Sequence, residues 1–123
     1  MKPLWMLALV PVMAGAQATI ATEFPTGAEP IVAEKLRQFV SGKVWVGKTA
    51  DGSRWRLEYR DNGYVFIDVS TGFRDNGTWR TEDSRLCAEL QRVTAGCSEV
   101  RVVGERLYMK RVSNGEVLAL VVN

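Results

Sequence analysis

The sequence predicts an all-β fold: an antiparallel up-and-down barrel or half-barrel of about eight strands, with one short N-terminal helix. Three observations predict it. From Val44 onward, short runs rich in β-branched and aromatic residues follow one another. Clusters of Asp, Asn and Gly separate these runs at short intervals. Ahead of them lies a single stretch with helical spacing.

That stretch runs from Glu29 to Val40, within a helical segment placed at 29–41. Val32, Leu36, Phe39 and Val40 fall on one face at i, i+4, i+7 and i+8. Pro30 is tolerated in a first helical turn, and Gly42 is a suitable stop. The helix is expected to plug the main body.

The strand runs are Val44–Lys48, Ser53–Arg60, Tyr64–Ser70, Thr78–Glu82, Leu86–Arg92, Ser98–Val103, Arg106–Val112 and Glu116–Val122. Their turns are Asp51-Gly52, Asp61-Asn62-Gly63, Thr71-Gly72, Asp75-Asn76-Gly77, Gly96, Gly104-Glu105 and Ser113-Asn114-Gly115. The whole of 43–123 reads as one β-barrel domain. Closure requires Val44–Lys48 to pair with the C-terminal strand; otherwise an edge stays open to a partner.

Hairpin registers follow from keeping one face apolar. A three-residue loop, with Gly63 at positive φ, opposes Trp55 to Val69, Leu57 to Ile67 and Tyr59 to Val65. The other face then pairs Arg56 with Asp68. A two-residue Asn114-Gly115 turn opposes Met109 to Leu120 and Leu107 to Val122, again with an apolar face.

The first eighteen residues read as an export signal, cleaved after Ala18. Lys2 supplies the positive end, Leu4 to Ala14 the apolar run, and Ala16-Gln17-Ala18 the small-x-small cut. The run is shorter than the ~20 residues a membrane helix needs, and no later segment reaches that length. Residues 19–28 form an extended or disordered, flexible leader. The expected location is periplasmic or secreted. The expected state is a monomer.

With Lys2 removed, fifteen basic side chains face fourteen acidic ones. Near-neutrality speaks against a nucleic-acid partner and against a strong polybasic membrane patch. The chain has no histidine. That removes the commonest general base and transition-metal ligand, so a Ser-His-Asp or Cys-His site cannot be built. Carboxylates are scattered singly, and the Thr and Ser hydroxyls have no identifiable base. The sequence therefore predicts no catalytic residues, no metal site and no cofactor.

Cys87 and Cys97 are the only cysteines. In an exported chain an isolated pair reads as a disulfide. Both alternate with apolar neighbours, so both point to the polar face. Directly opposite one another, they place Arg85 against Glu99 and Asp83 against Arg101.

The string aromatic-Arg-Asp-Asn-Gly occurs twice, at Tyr59–Gly63 and Phe73–Gly77. It reads as one turn type used twice, the alternative being two oxygen-rich calcium loops. Asn76-Gly77-Thr78 matches a glycosylation acceptor, a chance match if the source is bacterial.

Trp55 and Tyr59 share the predicted inner face with Leu57, and Trp79 joins them inside. Trp45 is ambiguous, because Val44 and Val46 compete for the interior. These aromatics either fill the core or line an apolar cavity open at one barrel end. Arg111 shares the face of Leu107 and Met109 at the strand end. It either snorkels out of the mouth or neutralises an anionic head group there. Trp55, Tyr59, Trp79 and Arg111 are thus the candidate ligand-binding residues.

Gly42-Lys43, Asp61-Asn62-Gly63, Gly77-Thr78-Trp79-Arg80, Leu86-Cys87, Cys97 and Val102-Val103-Gly104-Glu105-Arg106-Leu107 form an ordered set. Through it, the stretch from Gly42 to the end resembles small exported Gram-negative proteins with a lipocalin-like barrel. The resemblance implies that barrel, a periplasmic home and no catalytic residues. In size, fold, single disulfide and N-terminal segment the chain is also similar to periplasmic inhibitors of secreted metalloproteases, whose segment enters the protease cleft. The cysteines here lie closer together in sequence. The expected function is a non-enzymatic binding module for a small apolar or amphiphilic ligand. The alternative is a protein-binding inhibitor or an envelope-associated structural protein.

Overall fold

The computed structural model describes residues 19–94 and 96–123. The expected signal peptide lies outside the described residues. Helix α1 spans Ala33–Val40. Strands β1 (Lys43–Lys48), β2 (Arg54–Tyr59), β3 (Tyr64–Val69), β4 (Arg74–Glu82), β5 (Arg85–Leu90), β6 (Gly96–Val103), β7 (Arg106–Lys110) and β8 (Val117–Val122) follow. Each pairs antiparallel with the next. The circle closes where Trp45 and Val46 of β1 meet Val122 and Val121 of β8. The described residues contain no helix long and apolar enough to cross a membrane.

Alternation sets the interior. Trp45, Leu57, Val65, Trp79, Val100, Leu107, Leu118 and Leu120 point inward and are buried. Trp45 resolves in favour of the core, fully buried, while Val44 and Val46 stay partly exposed.

The helix is shorter than its apolar spacing predicts. Glu29 instead exchanges both backbone hydrogen bonds with Val102, at a level where β6 has run past the start of β5. Ile31 N donates to Ser84 Oγ at 3.2 Å. Asp83 Oδ1 accepts the Ala33 N–H at 3.1 Å, so it caps the helix from the β4–β5 turn. Pro30 therefore precedes the helix. Val32 is left exposed, and Ile31 packs against the core in its place. Gly42 ends the segment with φ 76°.

The leader is extended and docked on the barrel. Ala21 O accepts from Val117 N at 2.7 Å. Phe24 sits between the cations of Arg101 and Lys110, at 4.7 and 5.3 Å from its ring centre.

The β2–β3 register is the one with the three-residue loop, including Leu57 opposite Ile67 and Arg56 opposite Asp68. Gly63 has φ 92°, and Asn62 Oδ1 accepts from Tyr64 N at 3.2 Å. Arg56 and Asp68 nevertheless bond Glu58 and Arg74 respectively.

Gly96, expected at a turn, instead opens β6 opposite Ala88, and two further turn expectations are corrected. In the C-terminal hairpin Leu107 faces Leu120 and Met109 faces Leu118. The pairing is shifted by two residues because the connection is longer than an Asn-Gly turn. Arg111 N donates to Glu116 O, and Gly115 N to Arg111 O. A shift of two preserves the faces. The second correction concerns Asp75-Asn76-Gly77, which is not a turn and lies within β4. The turn there is Thr71-Gly72, with Gly72 at φ 96°. Gly77 serves close approach instead: a Cβ at this position would stand 1.8 Å from Glu89 O. The calcium reading falls with the second loop.

Cys87 and Cys97 form a disulfide and lie directly opposite one another. Their side alternates with Leu86 and Ala88 as expected, yet Cys87 itself is buried. Arg85 faces Glu99, but the ion pairs run Arg85–Glu82 and Arg101–Glu99. Asp83 serves the helix, not Arg101.

Candidate ligand cavity

The interior has two halves of different character. At the helix end it is solid. Leu36 and Val40 enter the core, Phe39 stacks on Trp45 at 5.3 Å, and Trp45 Nε1 donates to Val40 O at 3.4 Å. Trp79 donates its Nε1–H to Arg60 O at 2.8 Å and lies under the Arg37 guanidinium.

The other half holds a cavity of about 500 Å³, opening among the loops that follow β1, β3, β5 and β7. Its walls are Trp55, Leu57, Tyr59, Ile67, Val69, Leu86, Leu90 and Met109. Alternation within β2, β3, β5 and β7 aims these side chains inward. Both sequence readings are therefore realised, the filled core at one end and the cavity at the other.

Three of the four candidate residues meet at this cavity: Trp55, Tyr59 and Arg111. Trp79 does not. It touches Tyr59 edge-on, with ring centres 5.2 Å apart, and belongs to the solid half. Burial pushes the Tyr59 phenol well above its usual titration range, so it stays neutral at the cavity floor.

Arg111 stays at the mouth, engaged by a ring and by a carboxylate. Its guanidinium lies 4.8 Å from the Trp55 ring centre. Its Nη1 bonds Glu116 Oε1 at 3.2 Å. Glu116 is buried, and its Oε2 accepts from Ala50 N at 2.7 Å. The pair closes the seam between the first and last hairpins at the rim, and locally it is neutral.

Beside it, Asp51 accepts hydrogen bonds from the Thr49 hydroxyl and from Ser53 N. The Thr49 bond first, then the Ser53 N–H, hold its carboxyl at about 2. A carboxylate so acidic is a poor proton acceptor near neutrality. Asp75 anchors the loop after β5. Burial pushes its carboxyl up, but the N–H groups of Asn76, Arg92, Gln91 and Val93 outweigh that and lower it.

Sequence reasoning missed Glu116, Asp51 and Asp75. Glu116 carried a readable signal: it shares the parity of Leu118 and Leu120, so a carboxylate sat on an apolar face. Among the described residues, one group of three possible metal ligands occurs, Glu82 with Cys87 and Cys97. Its two sulfurs are joined to each other, so no thiolate is available to an ion.

No protein-family model, curated protein or solved structure matches this chain.

Proposed function

We propose that this chain is an exported, monomeric, lipocalin-like binding module without catalytic activity, holding a small apolar or amphiphilic molecule in the barrel cavity. The observation that carries this reading is the apolar cavity of about 500 Å³, floored by the solid, helix-plugged half of the barrel and open at the other end. Its volume falls within the ~300–1,000 Å³ of small-molecule sites. The neutral Arg111–Glu116 pair at the rim favours ligands whose buried part is uncharged. The disulfide supports an oxidising compartment, periplasmic or secreted. The inhibitor reading requires a free N-terminal segment. The bonds of Ala21 and Glu29 to the barrel favour the cavity instead.

The test is a titration with the neutral dye N-phenyl-1-naphthylamine. Saturable dye fluorescence, with quenching of Trp55 emission, is expected. Ala88→Phe places a ring in the cavity and should abolish both, with an unchanged far-ultraviolet spectrum. Dye binding that persists in Ala88→Phe at unchanged affinity would place the dye elsewhere and refute the reading.

A further inference from the structure

The charges of this nearly neutral chain are unevenly placed. The open end carries Lys48, Arg54, Arg74, Arg92, Lys110 and Arg111. They lie on or beside all four loops that surround the mouth. Among the described residues, Arg74 and Arg111 bond carboxylates, those of Asp68 and Glu116, and the other four bond none. Most acids of this end are occupied. Glu116 and Asp75 are buried, and Asp51 is tied into its own turn. Among the described residues, exposed Glu89 near the end of β5 and Glu23 of the leader bond no cation and offset part of this charge.

The helix end is balanced. Among the described residues, Lys35, Arg37, Lys43 and Arg106 bond no carboxylate, and Glu29, Glu34, Asp61, Asp83 and Glu105 bond no cation. Overall charge conceals this difference.

The cationic rim also bears apolar tips. Val112 is 72% exposed and Val93 44% exposed, and both border the cavity mouth. The Val112 loop packs beside Gly96, close to the loop that carries Val93. Phe73 borders the mouth under the Arg92 guanidinium, 5.5 Å away. Single exposed valines are ordinary. Two valines projecting from neighbouring loops inside a ring of unpaired cations match a surface with anions outside and hydrocarbon beneath.

We infer that the open end of the barrel docks on a lipid membrane carrying anionic head groups, with Val93 and Val112 inserted and Lys48, Arg54, Arg92 and Lys110 on the phosphates. The near-neutral composition argues against such a patch, but the fold assembles one. The mouth would then face the hydrocarbon from which an apolar ligand comes. This last point rests on the cavity reading; the docking itself does not.

The test is flotation of the disulfide-closed protein, without added ligand, on two kinds of vesicle. One is phosphatidylcholine alone; the other contains about 30% phosphatidylglycerol. Binding to the anionic vesicles alone, lost in high salt, is expected. Lys48→Glu with Arg54→Glu should weaken it at least tenfold, and Val93→Ser with Val112→Ser severalfold. Lys35→Glu with Arg106→Glu alters net charge equally at the other end and should retain most of the binding. No flotation on anionic vesicles, or equal loss from both charge-reversed pairs, overturns the proposal. Dye titration of the same samples keeps the two claims apart. Dye binding without flotation refutes only the docking, and flotation without dye binding refutes only the cavity reading.

Discussion

Arg111 covers Trp55 at the cavity mouth, its guanidinium carbon 4.8 Å from the ring centre and its Nη1 on Glu116. One arginine thus closes over an apolar wall and neutralises a buried carboxylate. Arg111→Ala leaves Glu116 without its cation. Because Arg111 is itself partly exposed, the expected loss is about 1–3 kcal/mol, read by urea denaturation. Trp55 emission should shift to the red as water reaches the ring. Unchanged stability and emission would show that the contact is incidental.

Asp75 should matter more for the fold than its place beside an Asn-Gly pair suggests. Its two oxygens accept from the backbone of Asn76, Gln91, Arg92 and Val93. Asp75→Ala strands these donors, and about 2–4 kcal/mol of stability should go. Hydrogen exchange should quicken first in the loop after β5. A uniform change across the barrel would argue that Asp75 does not anchor that loop.

The disulfide closes a short loop between β5 and β6. Cys87→Ala with Cys97→Ala should cost about 2–3 kcal/mol in the chain-entropy account, and the barrel should still form. An unchanged melting temperature would remove its structural role.

Acid should destabilise the protein in a defined window. The folded-state pKa of Asp51 lies at about 2, below its ordinary value of 3.8. Its contribution is therefore complete above about pH 4 and disappears as pH falls towards 2. Asp75 is lowered as well and acts in the same direction. In Asp51→Asn, the fall of melting temperature between pH 4 and pH 2 should be shallower. Parallel curves for both proteins would contradict the assignment.

The sequence makes strand number and most faces legible, since alternation and turn chemistry act locally, but not closure, because the β1–β8 pairing joins the two ends of the domain. Leu57, Tyr59, Val65 and Ile67 could be placed because only one register keeps their face apolar. The C-terminal hairpin resisted, because registers two residues apart bury the same side chains. Only the length of the Arg111–Glu116 connection separates them. The repeat at Phe73–Gly77 misled because Gly also serves close backbone approach, as Gly77 does beneath Glu89. In the site, inward parity located Trp55 and Tyr59. It could not say that Trp79 lies in the solid half, since parity gives the face of a strand and not the height along it. Trp55 beneath Arg111, and the Gln91, Arg92 and Val93 amides that Asp75 holds, lie far away in sequence, and no local pattern encodes those contacts.

The most direct measurement is native mass spectrometry of the protein purified from its own source without detergent. The expected result is a monomer carrying one small apolar or amphiphilic molecule, released on unfolding and absent from Ala88→Phe. An empty wild-type protein that also leaves Trp55 emission unquenched by N-phenyl-1-naphthylamine would contradict it.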